Sequence, residues 1–308
     1  MTRAGRRWRA AAAALLLAGA APLAAQTGAV PLGQTRTVDG HVRRPGPHDA
    51  PVAVAGVYVV LHRVGQDHAG PLDSARTGPG GQFHFTYKTS GAPDAVYFAS
   101  TRYAGIAYFT APLEAQNVSG PDADIMVYDT ASAGIPLHLA GRHLVIGAPG
   151  ADGLRDVAEV WDLSNDSTKT LVARDSLTPL WTASLPAGAV SPQVQGGDIA
   201  AGAVTFANGQ VRLYAPVSPG VRQLAIAFQL PPGAFPLAVP MTGGTGMLEV
   251  LLEEASARPD LAGLKQTSSV TSQGRTFTRY LAQEVPPGAV LRVDVRAVSN
   301  AARARLVA

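Results

Sequence analysis

The sequence predicts an all-β protein: two β-sandwich domains in tandem, preceded by a signal peptide. Three observations point there. Gly 33 and Pro 24 supply 57 breakers in 308 residues, with no collagen-like period, which favours short strands joined by many turns over long helices. The hydrophobic fraction is 46% against 15% charged, enough apolar surface for a core and too little charge for a disordered chain. Between the breakers run short stretches rich in β-branched and aromatic residues, many with period-2 alternation.

The first segment sets the address. Arg3, Arg6, Arg7 and Arg9 form a basic head, residues 10–23 are apolar helix formers, and small Ala24 and Ala25 precede Gln26. That order describes a secretory signal cleaved after Ala25; about 14 apolar residues fall short of the ~20 needed to span a bilayer. Without it the remaining chain has 21 Lys+Arg (25 less four) against 22 Asp+Glu, net −1. The basic balance belongs to the signal, and no Lys/Arg cluster interleaved with aromatics is left for nucleic acid. With no cysteine, disulfides, thiolate metal sites, a cysteine nucleophile and a lipoprotein anchor are excluded.

A tether over 26–34 leads into the first domain, 35–130. Strands are expected at 37–42, 52–63 with Gly56 at the true start, 73–77, 83–85, 96–103, 106–109 and 125–128. Glycine-rich 78–81 and Ala104-Gly105 form the sharp turns. A polar, small-residue junction at 129–134 separates the second domain, 135–300. There the strands are 138–146, 157–163, 169–173, 180–185, 198–206, 210–214, 223–230, 237–240, 247–253, 276–283 and 290–295. Asn208-Gly209 supplies the φ > 0 positions of a hairpin turn. Residues 259–265 form the one plausible helical turn, and Pro-Pro-Gly-Ala recurs at 231–234 and 286–289.

Residues 37–87 resemble the carboxypeptidase regulatory-like domain, a transthyretin-like (prealbumin-like) sandwich. Gly40-His41-Val42 matches its opening Gly-x-Val strand. Pro51 and Ala55-Gly56-Val57-Tyr58-Val59-Val60-Leu61 match its second strand. Thr77, Gly80 and Gly81-Gln82-Phe83-His84-Phe85 match its Thr, its Gly turn and its Gly-x-Phe-x-Phe strand. Insertions at 43–50 and 65–71 fall in loops. The resemblance implies an Ig-like or transthyretin-like module, non-catalytic, of the kind that rides beside an enzyme or outer-membrane partner.

Motifs of chemistry are missing. None of the seven histidines, 41, 48, 62, 68, 84, 138 and 143, has Glu three residues on, and there is no Gly-x-Ser-x-Gly, phosphate loop, His-Glu-x-x-His or EF-hand. Gly243-Gly244-Thr245-Gly246 lacks a strand-then-helix context and reads as a turn. His48 and His68 could meet in space, and Asp122, Asp124 and Asp129, or Asp152 and Asp156, could offer oxygens to calcium; surface and turn roles explain them more simply, and no metal site or cofactor is assigned. Were the chain an enzyme of unfamiliar type, Glu253 and Glu254 with Asp260 would be its candidate groups, but adjacent acids on a strand point to opposite faces. Tyr97, Tyr103, Tyr108 and Phe109 cluster on one hairpin and are the candidate ligand-stacking residues; Trp161 and Trp181 are a second aromatic pair. The expectation is an exported, periplasmic or extracellular, non-catalytic module that engages another envelope protein, with carbohydrate or small-ligand binding by the aromatic hairpin as the alternative.

Overall fold

The computed structural model describes residues 32–295; the expected signal and most of the tether lie outside them, as do 296–300 of the expected second domain. The described residues are all-β, with four short 3-10 turns and no α-helix. They form two compact units, 32–131 with 168–170, and 132–167 with 171–295.

In the first unit the strands are β1 (Thr35–Arg44), β2 (Val52–Ala53), β3 (Tyr58–Val64), β4 (Ala69–Arg76), β5 (Gln82–Lys88), β6 (Val96–Tyr103), β7 (Ile106–Phe109), β8 (Asn117–Ser119), β9 (Ile125–Met126) and β10 (Thr130–Ala131). One sheet is built around β1, antiparallel to β5 and β2 and parallel to β8 and β9. The other is an antiparallel sheet in the order β4-β3-β6-β7. Inward positions of both meet in one core: Val38 and Val42, Phe83 and Phe85, Val59 and Leu61, Tyr97 and Ala99. Each fully buried Val, Leu or Phe side chain contributes about 1.5–3 kcal/mol.

Two glycines of the Gly-x-Val and Gly-x-Phe patterns have physical reasons. A Cβ on Gly40 would lie 2.3 Å from the Ala123 carbonyl oxygen and 2.5 Å from the Phe83 ring. Gly81 holds φ +76°, and a Cβ there would sit 2.5 Å from the Val42 carbonyl oxygen. The turn it ends was expected to join a hairpin. Instead β4 pairs with β3 and β5 with β1, so the chain changes sheets there.

The second unit contains β11 (His138–Ile146), β12 (Arg155–Asn165), β13 (Thr170–Leu171), β14 (Trp181–Ser184), β15 (Val190–Gly197), β16 (Val204–Ala207), β17 (Gln210–Leu213), β18 (Gly220–Leu230), β19 (Leu237–Pro240), β20 (Thr245–Leu252), β21 (Ala257–Asp260), β22 (Lys265–Gln266), β23 (Val270–Ser272), β24 (Arg275–Val285) and β25 (Val290–Val295), with Thr170 counted in the first unit. An eight-stranded sheet runs β15-β18-β12-β11-β20-β24-β22, with β23 also on β24; its β11 and β20 are parallel. The opposing layer comes in two pieces, β14-β17-β16 and β19-β25-β21. One core joins all three sheets, with Trp161, Leu163, Ile226, Phe228 and Val250 from the large one, Ala183 and Val211 from one small sheet, and Val239 and Leu291 from the other.

The expected helical turn at 259–265 is replaced by strand. Ala257–Asp260 pairs with β25, placing Pro259 opposite Val293 on an edge strand, and Gly263 at φ +81° then turns the chain back. Proline is tolerated on such an edge because its missing N–H is not needed by a neighbour. The strand expected at 198–206 begins only at Val204, since 201–203 form a 3-10 turn, while Val190–Gly197 pairs along β18 with two irregularities.

Candidate functional site

The four hairpin aromatics divide between the two faces of β6 and β7. Tyr97 and Tyr108 are buried in the core. The Tyr97 hydroxyl accepts from the Ser90 N–H at 2.9 Å, and that of Tyr108 donates to the Tyr128 carbonyl at 3.1 Å and meets Thr170 Oγ1 at 2.8 Å. Tyr103, half-buried at the end of β6, donates to Asp129 Oδ1 at 2.9 Å. Phe109 alone of the four is strongly exposed, at 58%.

Phe109 belongs instead to the outer face of the β4-β3-β6-β7 sheet. Tyr58, Val60, His62 and Val64 alternate outward on β3, and Val96, Phe98 and Ser100 on β6. The register places His62 opposite Phe98, Val64 opposite Val96, and Ser100 opposite Phe109. His62 stacks on Phe98 with centroids 5.0 Å apart, and Phe109 meets Phe98 edge-on at 5.8 Å. Tyr58 is 64% exposed and carries Arg76 over its ring. Burial lowers the His62 pKa below its usual value, while Ser100 Oγ lies 2.8 Å from its Nε2; at neutral pH this surface is aromatic, aliphatic and uncharged at its centre. Period-2 alternation within Tyr58–Val64 and Val96–Tyr103 carried this signal, but the hairpin aromatics drew the reading to both faces at once.

The acids and histidines are engaged elsewhere. Asp124 accepts the His41 N–H at 2.8 Å and pairs with Arg43 at 3.3 Å; Asp129 pairs with Arg44 at 3.6 Å. Asp122 sits in a 3-10 turn, Asp152 accepts from the Leu154 N–H, and Asp156 accepts from Gln229. His48, at φ 57°, and His68 are both exposed. Glu253 pairs with Arg275 and Glu254 with Arg155, each carboxylate bound to a different guanidinium.

On the outer face of the eight-stranded sheet a polar chain crosses five strands. Gln223 donates to Asp162 at 2.9 Å. His143 Nε2 lies 3.2 Å from Asp162 and Nδ1 2.7 Å from Glu249; Arg279 pairs with Glu249 at 2.5 Å. A Cβ on Gly141 would come within 2.5 Å of the Asp162 carboxylate, so this glycine leaves the room Asp162 uses. Burial pulls the imidazole pKa down, but hydrogen bonds and charge from Asp162 and Glu249 outweigh it and push it up to about 9. The ring is therefore an imidazolium donating from both nitrogens at neutral pH, with no lone pair to offer as a base. It clamps strands together.

Inside the same unit Arg142 and Glu159 form a buried pair, Nε to Oε1 2.5 Å, with Arg142 also donating to the Pro240 carbonyl at 2.9 Å. Burial raises the Glu159 pKa, and the neighbouring guanidinium opposes that rise.

No family model matches this chain, and no curated protein matches it. Among solved structures, native leukotriene A4 hydrolase from Saccharomyces cerevisiae is similar over 51% of this chain and 29% of its own, with 8% identity and a TM-score of 0.33. The chain spans less than a third of that enzyme's length, and a likeness of this order carries no argument about activity. Among the described residues no helix is long and apolar enough to cross a membrane.

Proposed function

We propose that this chain is an exported, non-catalytic protein of a bacterial-type cell envelope, a tandem of β-sandwiches whose first member is a carboxypeptidase regulatory-like, transthyretin-like module. It acts by engaging another envelope protein. The observation that carries the reading is the outer face of the β4-β3-β6-β7 sheet, where Tyr58, Val64, Val96 and Phe109 stand exposed around the His62–Phe98 stack. A contiguous apolar face with aromatic anchors is what protein interfaces select. The signal-like residues 1–25 support export, and the Gly-x-Val and Gly-x-Phe patterns support the module.

The test places a photo-crosslinking residue at Ala107, beside this face, in chain expressed from its own envelope. A discrete adduct that disappears with Phe109→Glu, while circular dichroism and melting temperature stay unchanged, supports the assignment. An adduct pattern indifferent to Phe109→Glu and Tyr58→Glu defeats it.

A further inference from the structure

The second unit holds a cleft that the first-unit face does not involve. Its volume is about 960 Å³, at the upper end of the range of small-ligand sites. It opens where β11 and β20 begin and β24 ends, between Trp181 of β14 and the loop that follows β19. Here the layer opposite the large sheet is interrupted: β14 ends one three-stranded sheet, β19 ends the other, and no ladder joins them.

We propose that this cleft binds an extended peptide segment bearing a lysine or arginine next to an apolar residue, added as a strand to the free edge of β14. The ladder phase exposes the required groups. The Leu185 N–H bonds the Gly209 carbonyl, and Ala183 pairs with Val211. Odd-numbered residues of β14 thus exchange their bonds with β17, and the amides of Thr182 and Ser184 point away from it. A row of outward N–H and C=O groups is a template for another chain.

Apolar side chains form part of the lining. Trp181 meets the buried Trp161 edge-on at 5.4 Å, and Leu139, also in the lining, is buried. One polar group there is unmatched: Thr245 is 2% exposed and its Oγ1 has no hydrogen-bond partner. Across from β14 the rim carries Gly243 and Gly244; neither has a side chain, and the space where a Cβ of Gly243 would stand is open, so a second main chain can approach closely.

Charge selects among ligands. Glu284, exposed and held at φ 49°, is the one acid on the wall, while His138 is turned toward Asp166 at 3.5 Å. A basic side chain complements that wall. Of the side chains that grip vicinal sugar hydroxyls the lining offers Glu284 and His138 alone, with no Asn, Gln, Asp, Arg or Lys to complete a pair, whereas strand-edge amides recur at the spacing of an extended peptide.

The experiment is a selection from a random octapeptide phage library against the whole chain, with binders synthesised and measured by fluorescence anisotropy. Enrichment of Lys or Arg beside an apolar residue is expected. Glu284→Gln should weaken those peptides about threefold. Thr182→Pro, which deletes an outward N–H and spares the β17 ladder, should weaken them about fivefold. Phe109→Glu should leave them unchanged, which keeps this site distinct from the first-unit face. Selected peptides without basic residues, or affinities insensitive to both cleft variants, overturn the proposal.

Discussion

The His143 clamp makes stability depend on pH in a direction opposite to that of an ordinary buried histidine. Its folded pKa of about 9 lies above the unfolded value of 6.5. The stabilisation is therefore fully present below pH 6.5 and is lost as pH rises through 9. At 1.36 kcal/mol per unit, the shift corresponds to about 3 kcal/mol, and with His143 only 13% exposed solvent screening removes little of it. The groups facing it are Asp162, Glu249 and, through Glu249, Arg279; both carboxylates are held below their usual range, by hydrogen bonds and charge from His143 and, for Asp162, a hydrogen bond from Gln223, so they stay ionised across the series. Urea unfolding at pH 6, 7.5, 9 and 9.5 should show the second unit weakening by roughly 2–3 kcal/mol across the series. His143→Gln should be less stable at pH 6 and should lack this slope. A His143 resonance, assigned by its loss in His143→Gln, that titrates near 6.5, or a pH slope identical in wild type and His143→Gln, refutes the reasoning.

Two further outcomes follow from packing. Arg142→Met alone leaves Glu159 buried without its cation and should cost about 3–5 kcal/mol, while Arg142→Met combined with Glu159→Leu should recover most of it; chemical denaturation of the three variants checks the ordering. Gly81→Ala forces a side chain into a left-handed backbone against the Val42 carbonyl, and should lower first-unit stability by at least about 2 kcal/mol, read as a reduced melting temperature.

The strands with clean alternation or a paired-residue turn were legible in the sequence. Ala104-Gly105 and Asn208-Gly209 both adopt the positive φ that tight hairpins need, and Phe83 and Phe85 both turn inward. Val190–Gly197 was not legible, because Pro192 and the Gly196-Gly197 pair read as loop; Gly197 is in fact a close approach, where a Cβ would lie 2.3 Å from the Gln223 carbonyl oxygen. The helical reading of 259–265 failed because local propensity cannot register a partner strand thirty residues later. At the candidate face, aromatic content was visible while parity was not: Tyr108 and Phe109 are neighbours in sequence and lie on opposite sides of the sheet. The His143 chain was invisible for another reason. Its members come from five separate strands, and only the sheet order aligns them.

The parallel pairing of β11 with β20 has a kinetic consequence. Leu139 lies beside Thr245, so the centre of the largest sheet closes a loop of about a hundred residues before any of its contacts are rewarded. Such high contact order places folding toward the millisecond-to-second range. Until that loop closes, the strands on either side of the β11–β20 seam have no partner there, so the middle of the large sheet is among the last ladders to be completed.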